Sequence, residues 1–257
     1  MGRKSKRPRN TIRLKAVVGG HDGHRVRNAI LLDLPRKEFE SVFSKMELVQ
    51  LPTHKILNDM AQPIEFVYFV NSGLASILNV MSDGKSVEVG LSGKEGFVGL
   101  PLIVGFGTSP TQVVMQIAGS GFKLRARDLV EVLRSCPKLE KSLNRYSQEL
   151  ALQVTQVAAC NRLHEVEERL ARWLLMSQDR VGVSVFPLTQ EFLAHMLGTR
   201  RASVTVAAGI LQKAGLITYK RGQVKIEKRA ELEDAACECY GQLTQQMKNW
   251  RHNARRV

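Results

Sequence analysis

Arg200, Arg201, Ser203 and Thr205 are the side chains of this sequence whose types and spacing fit a recognition task. A guanidinium offers paired N–H donors that match the O6 and N7 of guanine or the oxygens of a phosphate. Hydroxyls on the same helix can reach a base edge or a phosphate. Ala202, among them, and Val206, directly after Thr205, suit contact with thymine methyls. Further along, Lys220, Arg221 and Lys225 add cations that can stand beside phosphates.

These groups act together only if local structure places them on one surface. Residues 189–204 read as two short helices with Gly198 at the corner. Leu193, Met196 and Leu197 give the first helix an apolar face, and Val204, Ala207, Ala208 and Leu211 do so for the second. The Thr189 hydroxyl can cap the first helix by accepting from an orphan first-turn N–H. Gly215 stands where a left-handed residue would end the second. Gly209, inside that helix, costs about 1 kcal/mol relative to alanine. Two alternating apolar and polar runs then flank Gly222 and predict a β-hairpin. A helix-turn-helix followed by a basic hairpin is a winged helix, whose second helix enters a DNA major groove. The competing reading is a helical hairpin buried inside a larger domain.

Net charge agrees with a polyanionic partner. The 257 residues carry a formal charge of +14, a field that attracts nucleic acid whatever its sequence. With 44% hydrophobic residues the chain can bury two ordinary cores. The apolar stretch at residues 100–106 is broken by Pro101 and Gly105 and is too short to span a bilayer. No apolar region follows the basic start as a secretory signal would require, so a cytoplasmic protein with no membrane partner is expected.

Other chemistry finds little support. Cys136 and Cys160 stand alone, while Cys237 and Cys239 form a C-x-C pair that with His252 would be half of a metal site. A soft site needs four ligands, so the pair reads as two ordinary thiols, with no metal and no cofactor expected. The six histidines fall in no catalytic spacing, and no enzyme activity is expected.

Along the chain, residues 1–28 are basic and glycine-rich and read as a disordered tail, or as an arm that clings to DNA. Residues 29–137 begin with a short helix after Leu34-Pro35. They continue as short β-rich runs: 64–70 ending at Asn71-Ser72-Gly73, 74–81 ending at Ser82-Asp83-Gly84, then 87–91, 112–118 and 121–124. Closely spaced strands of this kind imply a small antiparallel barrel or sandwich. A long helix follows at 138–163. Leu139, Leu143, Tyr146, Leu150, Gln153, Val157 and Cys160 recur along it at steps of four and three, the seam of a two-stranded coiled coil and hence of a homodimer. A helix packed on its own barrel gives a similar stripe. Residues 164–235 form the winged-helix domain and 236–257 a C-terminal helical tail.

The order of barrel, long helix and winged helix resembles the Crp/Fnr superfamily of bacterial transcription regulators. The resemblance rests on Tyr68-Phe69-Val70-Asn71-Ser72-Gly73, on Glu168-Arg169-Leu170-Ala171 and on residues 188–218. It implies an α+β fold with a cyclic-nucleotide-binding-like sensor domain coupled to a DNA domain that reads a palindrome. In cyclic-AMP-binding members a Gly-Glu-Leu stretch contacts the ribose and an Arg-Ser pair grips the phosphate. Here Leu100 takes the place of the acid, and the loop at 105–112 holds no arginine. Gly96, Gly99, Leu100, Thr111 and Thr155 are the candidate pocket residues, although these glycines also suit barrel corners. Iron–sulfur sensing needs thiolates near the N-terminus, and the first cysteine is Cys136. Nothing flags His54 as a haem ligand. Relatives that read guanine carry Arg-Glu-x-x-x-Arg on the recognition helix, of which only Arg201 survives.

These readings converge on a homodimeric, sequence-specific regulator of transcription that binds double-stranded DNA without cyclic AMP. RNA polymerase and an unidentified small-molecule effector are further partners to consider. Arg200, Arg201, Ser203 and Thr205 are expected in the major groove, with Thr189, Lys220 and Arg221 near the backbone. The alternatives are an architectural, non-specific DNA binder and a nucleotide-binding regulatory subunit whose basic end binds protein.

Overall fold

The computed structural model describes residues 25–253. The expected basic tail lies outside them apart from residues 25–28, and there Val26 and Asn28 are buried. The Asn28 side chain accepts from Leu31 N–H and donates to the carbonyls of Val70 and Gly96 at 2.9 and 2.8 Å. One buried amide thus caps the first helix and pins it to the sheet.

Two short helices, α1 (Ala29–Leu32) and α2 (Arg36–Phe43), lead into the strands. These are β1 (Glu47–Leu51), β2 (Ile56–Asn58), β3 (Phe66–Val80), β4 (Ser86–Ser92), β5 (Phe97–Val98) and β6 (Gln112–Arg125). They form one antiparallel sheet in the order β1-β6-β3-β4, with β2 joined to β6 and β5 to β3. Helix α3 (Ala126–Leu133) follows.

The sequence reading divides β3 at Asn71-Ser72-Gly73 and β6 at 119–120. The structure corrects both divisions: each is one long strand, and the expected turns are irregularities in register between Val70 and Ala75. A side chain on Gly119 would place its Cβ 2.0 Å from Ser72 O, and one on Gly73 would lie 2.5 Å from Ile117 O. These glycines therefore let two long strands cross at close range rather than turn back. Ser82-Asp83-Gly84 does turn, with Met81 N–H donating to Lys85 O at 2.7 Å.

Alternation along β3 covers both of its faces. Val67 and Phe69 pack with Phe97, Phe122 and Leu124 against the helices, while Tyr68 and Val70 pack with Leu51, Ala75, Ile77 and Met115.

The long helix α4 (Pro137–Leu163) and helix α5 (Val166–Val181) come next. The α4 stripe does not form a free seam. Leu139, Leu143 and Tyr146 belong to the core beneath α1–α3, and Leu150 packs on the second cluster. Gln153 is buried, donates to Leu91 O and accepts from Arg180 Nη2 at 2.7 Å. Val157 is buried as well. The physical reason is that a sheet with two apolar faces needs a cover, and the stripe supplies it. The opposite face of α4 exposes Asn144, Gln148, Ala151, Thr155, Ala158 and Arg162.

Beyond α5 lie β7 (Val185–Pro187), α6 (Gln190–Met196), α7 (Arg201–Lys213), β8 (Ile217–Lys220), β9 (Gln223–Ile226), α8 (Arg229–Asp234) and α9 (Cys239–Asn253). One apolar core joins this region to the sheet: Leu74, Leu78, Leu91 and Ile117 cluster with Trp173, Phe186, Leu193 and Val204. Within the join, Glu88 of β4 accepts from Ser76 Oγ at 2.6 Å and from Trp173 Nε1 at 2.8 Å. Burial raises the Glu88 carboxyl from 4.5 to about 7, although those two donors and the Arg172 and Arg180 charges pull it down. Among the described residues no helix is long and apolar enough to cross a membrane.

Candidate nucleic-acid interface

The helix-turn-helix forms as its residue pattern predicts. Thr189 Oγ1 accepts from Phe192 N–H at 3.2 Å, capping α6. At the corner Gly198 adopts φ 58°, a left-handed conformation that glycine enters without steric cost. The inner face of α7 (Val204, Ala207, Ala208 and Leu211) is buried against α5 and α6. The same helical period turns Arg201, Ala202, Thr205 and Val206 outward, and Val206 is 64% exposed. An apolar side chain left in water at that position fits contact with thymine methyls. Ser203 is half-buried.

Arg200 is the N-cap residue of α7, and its side chain makes no capping hydrogen bond. Helix amides of the first turn without a capping side chain suit a phosphate oxygen. Thr205 Oγ1 lies 2.9 Å from Gln190 Oε1 and 3.0 Å from Arg201 O, so its proton is engaged within the protein. Gln190 is a neighbour the sequence reading missed. Its place as the first residue of α6, directly after the cap, was the available signal.

The wing is a three-stranded sheet in the order β7-β9-β8, with Phe186 of β7 opposite Val224. Strand β7 carries too short an apolar run to stand out in sequence. Lys220 pairs with Gln223 across a turn in which Arg221 and Gly222 have φ 51° and 72°. Two successive positive φ values define the two-residue turn whose twist matches a hairpin. The turn carries Lys220 and Arg221 exposed at the tip. Lys225 is instead tied to Glu227 at 2.7 Å, which lowers that carboxyl and reduces the charge Lys225 can offer to DNA. Tyr219 joins the wing to the helices: its hydroxyl donates to Leu188 O at 2.8 Å. Burial raises this phenol, against the nearby positive charge of Arg201. Strand β8 of the wing packs on α7.

The candidate ligand residues have different surroundings. A Cβ on Gly96 would lie 2.1 Å from Ser92 Oγ and 2.6 Å from Tyr146 Oη, and one on Gly99 would lie 2.4 Å from Val67 Cγ1. Both glycines allow close packing of neighbouring side chains. Leu100 begins a 3-10 turn, Thr111 sits beside Ser109 at 3.1 Å, and Thr155 is exposed on α4 with its hydroxyl donating to Ala151 O. A cavity between α4, α5 and α9 is lined by Tyr146, Gln153, Arg180 and Met247 and includes none of the five. At its rim Arg180 pairs with Glu95 at 2.8 Å, linking the turn after β4 to α5.

The C-terminal cysteines also have different neighbours from those expected. His252 is exposed near the end of α9, whereas Cys237 and Cys239 are buried beside Cys160 and His164. The i, i+4 spacing of Cys160 and His164 on one helix was the signal available in sequence.

Residues 168–235 match a family model described as the Crp-like helix-turn-helix domain. A search of curated proteins finds no match. Among solved structures the chain is similar to FixK2 from Bradyrhizobium japonicum, with TM-score 0.64 and 16% identity over 75% of this chain and 98% of that one. It is also similar to the c-di-GMP responsive global regulator CLP of Xanthomonas campestris, with TM-score 0.63 and 18% identity over 75% and 99% of the two chains. A CRP-family transcriptional regulator from Thermus thermophilus gives 0.59 and 20% over 73% and 96%.

Proposed function

We propose that the chain is a transcription regulator of the Crp/Fnr superfamily, a homodimer that reads a two-fold-related operator without cyclic AMP. The single observation that carries the DNA reading is the exposed, basic outer face of α7 next to a basic wing. Arg200, Arg201, Ala202, Thr205 and Val206 are exposed at α7, and Lys220 and Arg221 are exposed at the tip of the wing, whose strand β8 packs on α7. Arg201 pairs with a guanine and Val206 meets a thymine methyl, while Thr189, Lys220 and Arg221 hold the backbone. Arg200 and Ser203 contribute at the edge of the same helix, and Thr205 acts through an oxygen whose proton is already engaged.

A single recognition helix makes few base contacts, and two-fold pairing doubles them. The dimer contact is assigned to the exposed face of α4 around Gln148, Ala151, Thr155 and Ala158, because the apolar stripe is already covered. Ala151, Thr155 and Ala158 are small enough for two helices to approach closely.

Independence from cyclic AMP follows from charge. Burying a phosphate without a cation costs several kcal/mol. The loop at 105–112 has no arginine, and Leu100 stands in place of the ribose acid. Lys123 is taken up by Glu47 at 2.9 Å and lies over the Phe66 ring, while Lys94 is exposed.

The test is the ratio of affinity for fragments selected from genomic DNA to affinity for random DNA at physiological salt. A ratio of about a thousand or more is expected. Equal affinities would favour an architectural DNA binder.

A further inference from the structure

Four side chains from two distant parts of the sequence converge where α4 gives way to α5. Cys160 and His164 lie one helical turn apart, His164 being the C-cap of α4. Cys237 and Cys239 flank the start of α9. Cys160 Sγ and Cys237 Sγ are 3.4 Å apart, and Cys239 Sγ is 3.6 Å from His164 Nδ1. All four candidate ligand atoms lie within 4.8 Å of one another.

That span decides what can occupy the site. Ligands at about 2.3 Å for sulfur and about 2.0 Å for nitrogen, set tetrahedrally, lie roughly 3.5–3.8 Å apart. Movements of less than about an ångström bring these four atoms onto one ion at those bond lengths. Three thiolates and an imidazole are a soft, tetrahedral set, which selects zinc over the oxygen-loving divalent ions.

The surroundings fit as well. His164 Nε2 lies 3.0 Å from Glu238 Oε2, so the ring's far nitrogen meets a carboxylate while Nδ1 faces the sulfurs. That is the arrangement that fixes the tautomer of a metal-bound histidine. Gln156 Nε2 donates to Cys239 Sγ at 3.0 Å. The three cysteines form a small buried cluster of their own, apart from the large cores. Nearby, the buried Arg169 and Arg172 each retain an Nε without a hydrogen-bond partner. A doubly charged cation with three thiolates carries one net negative charge, which such guanidiniums balance.

We propose that Cys160, His164, Cys237 and Cys239 form a structural zinc site that ties the C-terminal segment to the junction between the sensor region and the DNA-binding domain. Binding displaces the remaining thiol protons into solvent and changes no oxidation state. With all four positions filled by protein the site is closed, so its role is mechanical. It holds the start of α9 against the end of α4, while the Arg251–Glu149 pair at 2.6 Å holds the other end of α9.

The experiment is elemental analysis of the full-length protein purified under reducing conditions without chelator, with cobalt(II) as a spectroscopic substitute. One zinc per chain is expected, and cobalt should give the visible bands and the thiolate charge-transfer band of a tetrahedral three-sulfur site. Cys160→Ser and Cys239→Ser should lose both, while Cys136→Ser, outside the cluster, should keep both. Glu238→Gln leaves every ligand in place and should weaken zinc binding about 10–100-fold with unchanged circular dichroism. Reduced, folded protein that takes up neither zinc nor cobalt would overturn the proposal. So would metal content indifferent to Cys160 and Cys239, an iron–sulfide absorbance, or a Cys160–Cys237 disulfide in protein that binds no zinc after reduction.

Discussion

Replacing Glu88 by glutamine tests how the sheet holds the DNA-binding domain. The carboxyl is buried between β4 and α5, where Ser76 and Trp173 both donate to it. Glutamine has the same shape: its oxygen can accept from Trp173 Nε1 while its amide donates to Ser76 Oγ. What it lacks is the ability to ionise. Desolvation raises Glu88 from 4.5 to about 7, so below the lower value both native and unfolded chains hold the proton. Between the two values the unfolded chain has released it and the native chain has not, so stability falls as pH rises. Above about 7 the loss is complete. A difference of about 2.5 units at 1.36 kcal/mol each gives roughly 3 kcal/mol. For a chain of this size that is about 6–12 °C in Tm. Thermal unfolding followed by circular dichroism should thus show wild type and Glu88→Gln melting together near pH 4. By about pH 8 the variant should be the more stable by that margin. Parallel profiles across this range would refute the reasoning, because they would mean Glu88 binds its proton no more tightly in the native state than in the unfolded one.

Arg201→Ala should weaken cognate binding by about 1–3 kcal/mol and relax preference at one base pair per half-site; equal losses on cognate and random DNA would make Arg201 a phosphate contact. Lys220→Ala should weaken binding to both and lower the salt slope by about one, read from affinities at several salt concentrations. Thr155→Glu with Ala158→Glu should yield folded monomers in sedimentation that lose specific binding, and a variant still dimeric would move the interface off this face of α4. Leu143→Asp, by contrast, puts a charge into the chain's own core and should cost more than about 2 kcal/mol in urea unfolding. Calorimetric titration with cyclic AMP should show no micromolar binding, and operator binding that appeared only with the nucleotide would defeat the charge argument.

The winged helix was legible in the sequence because its signals are local. The cap at Thr189, the corner at Gly198 and the apolar faces of α6 and α7 all lie within one short stretch, and each acts over a few residues. The β-rich composition of residues 64–124 likewise announced an antiparallel sheet. What the sequence could not settle were the choices that depend on a distant partner. Asn71-Ser72-Gly73 carries turn residues, yet β6 passing alongside turns them into a bulge in one continuous strand. The α4 stripe has the period of an interchain seam and of an intrachain cover alike; only the two apolar faces of the sheet decide between them. Glu88 reads as a polar residue in an alternating strand until Trp173, far along the chain, closes over it. Cys160 and His164 are separated from Cys237 and Cys239 by the whole winged helix. Periodicity and capping are written in neighbours along the chain, whereas the desolvation of a carboxylate and the meeting of four metal-binding atoms arise only when the folded chain brings distant segments together.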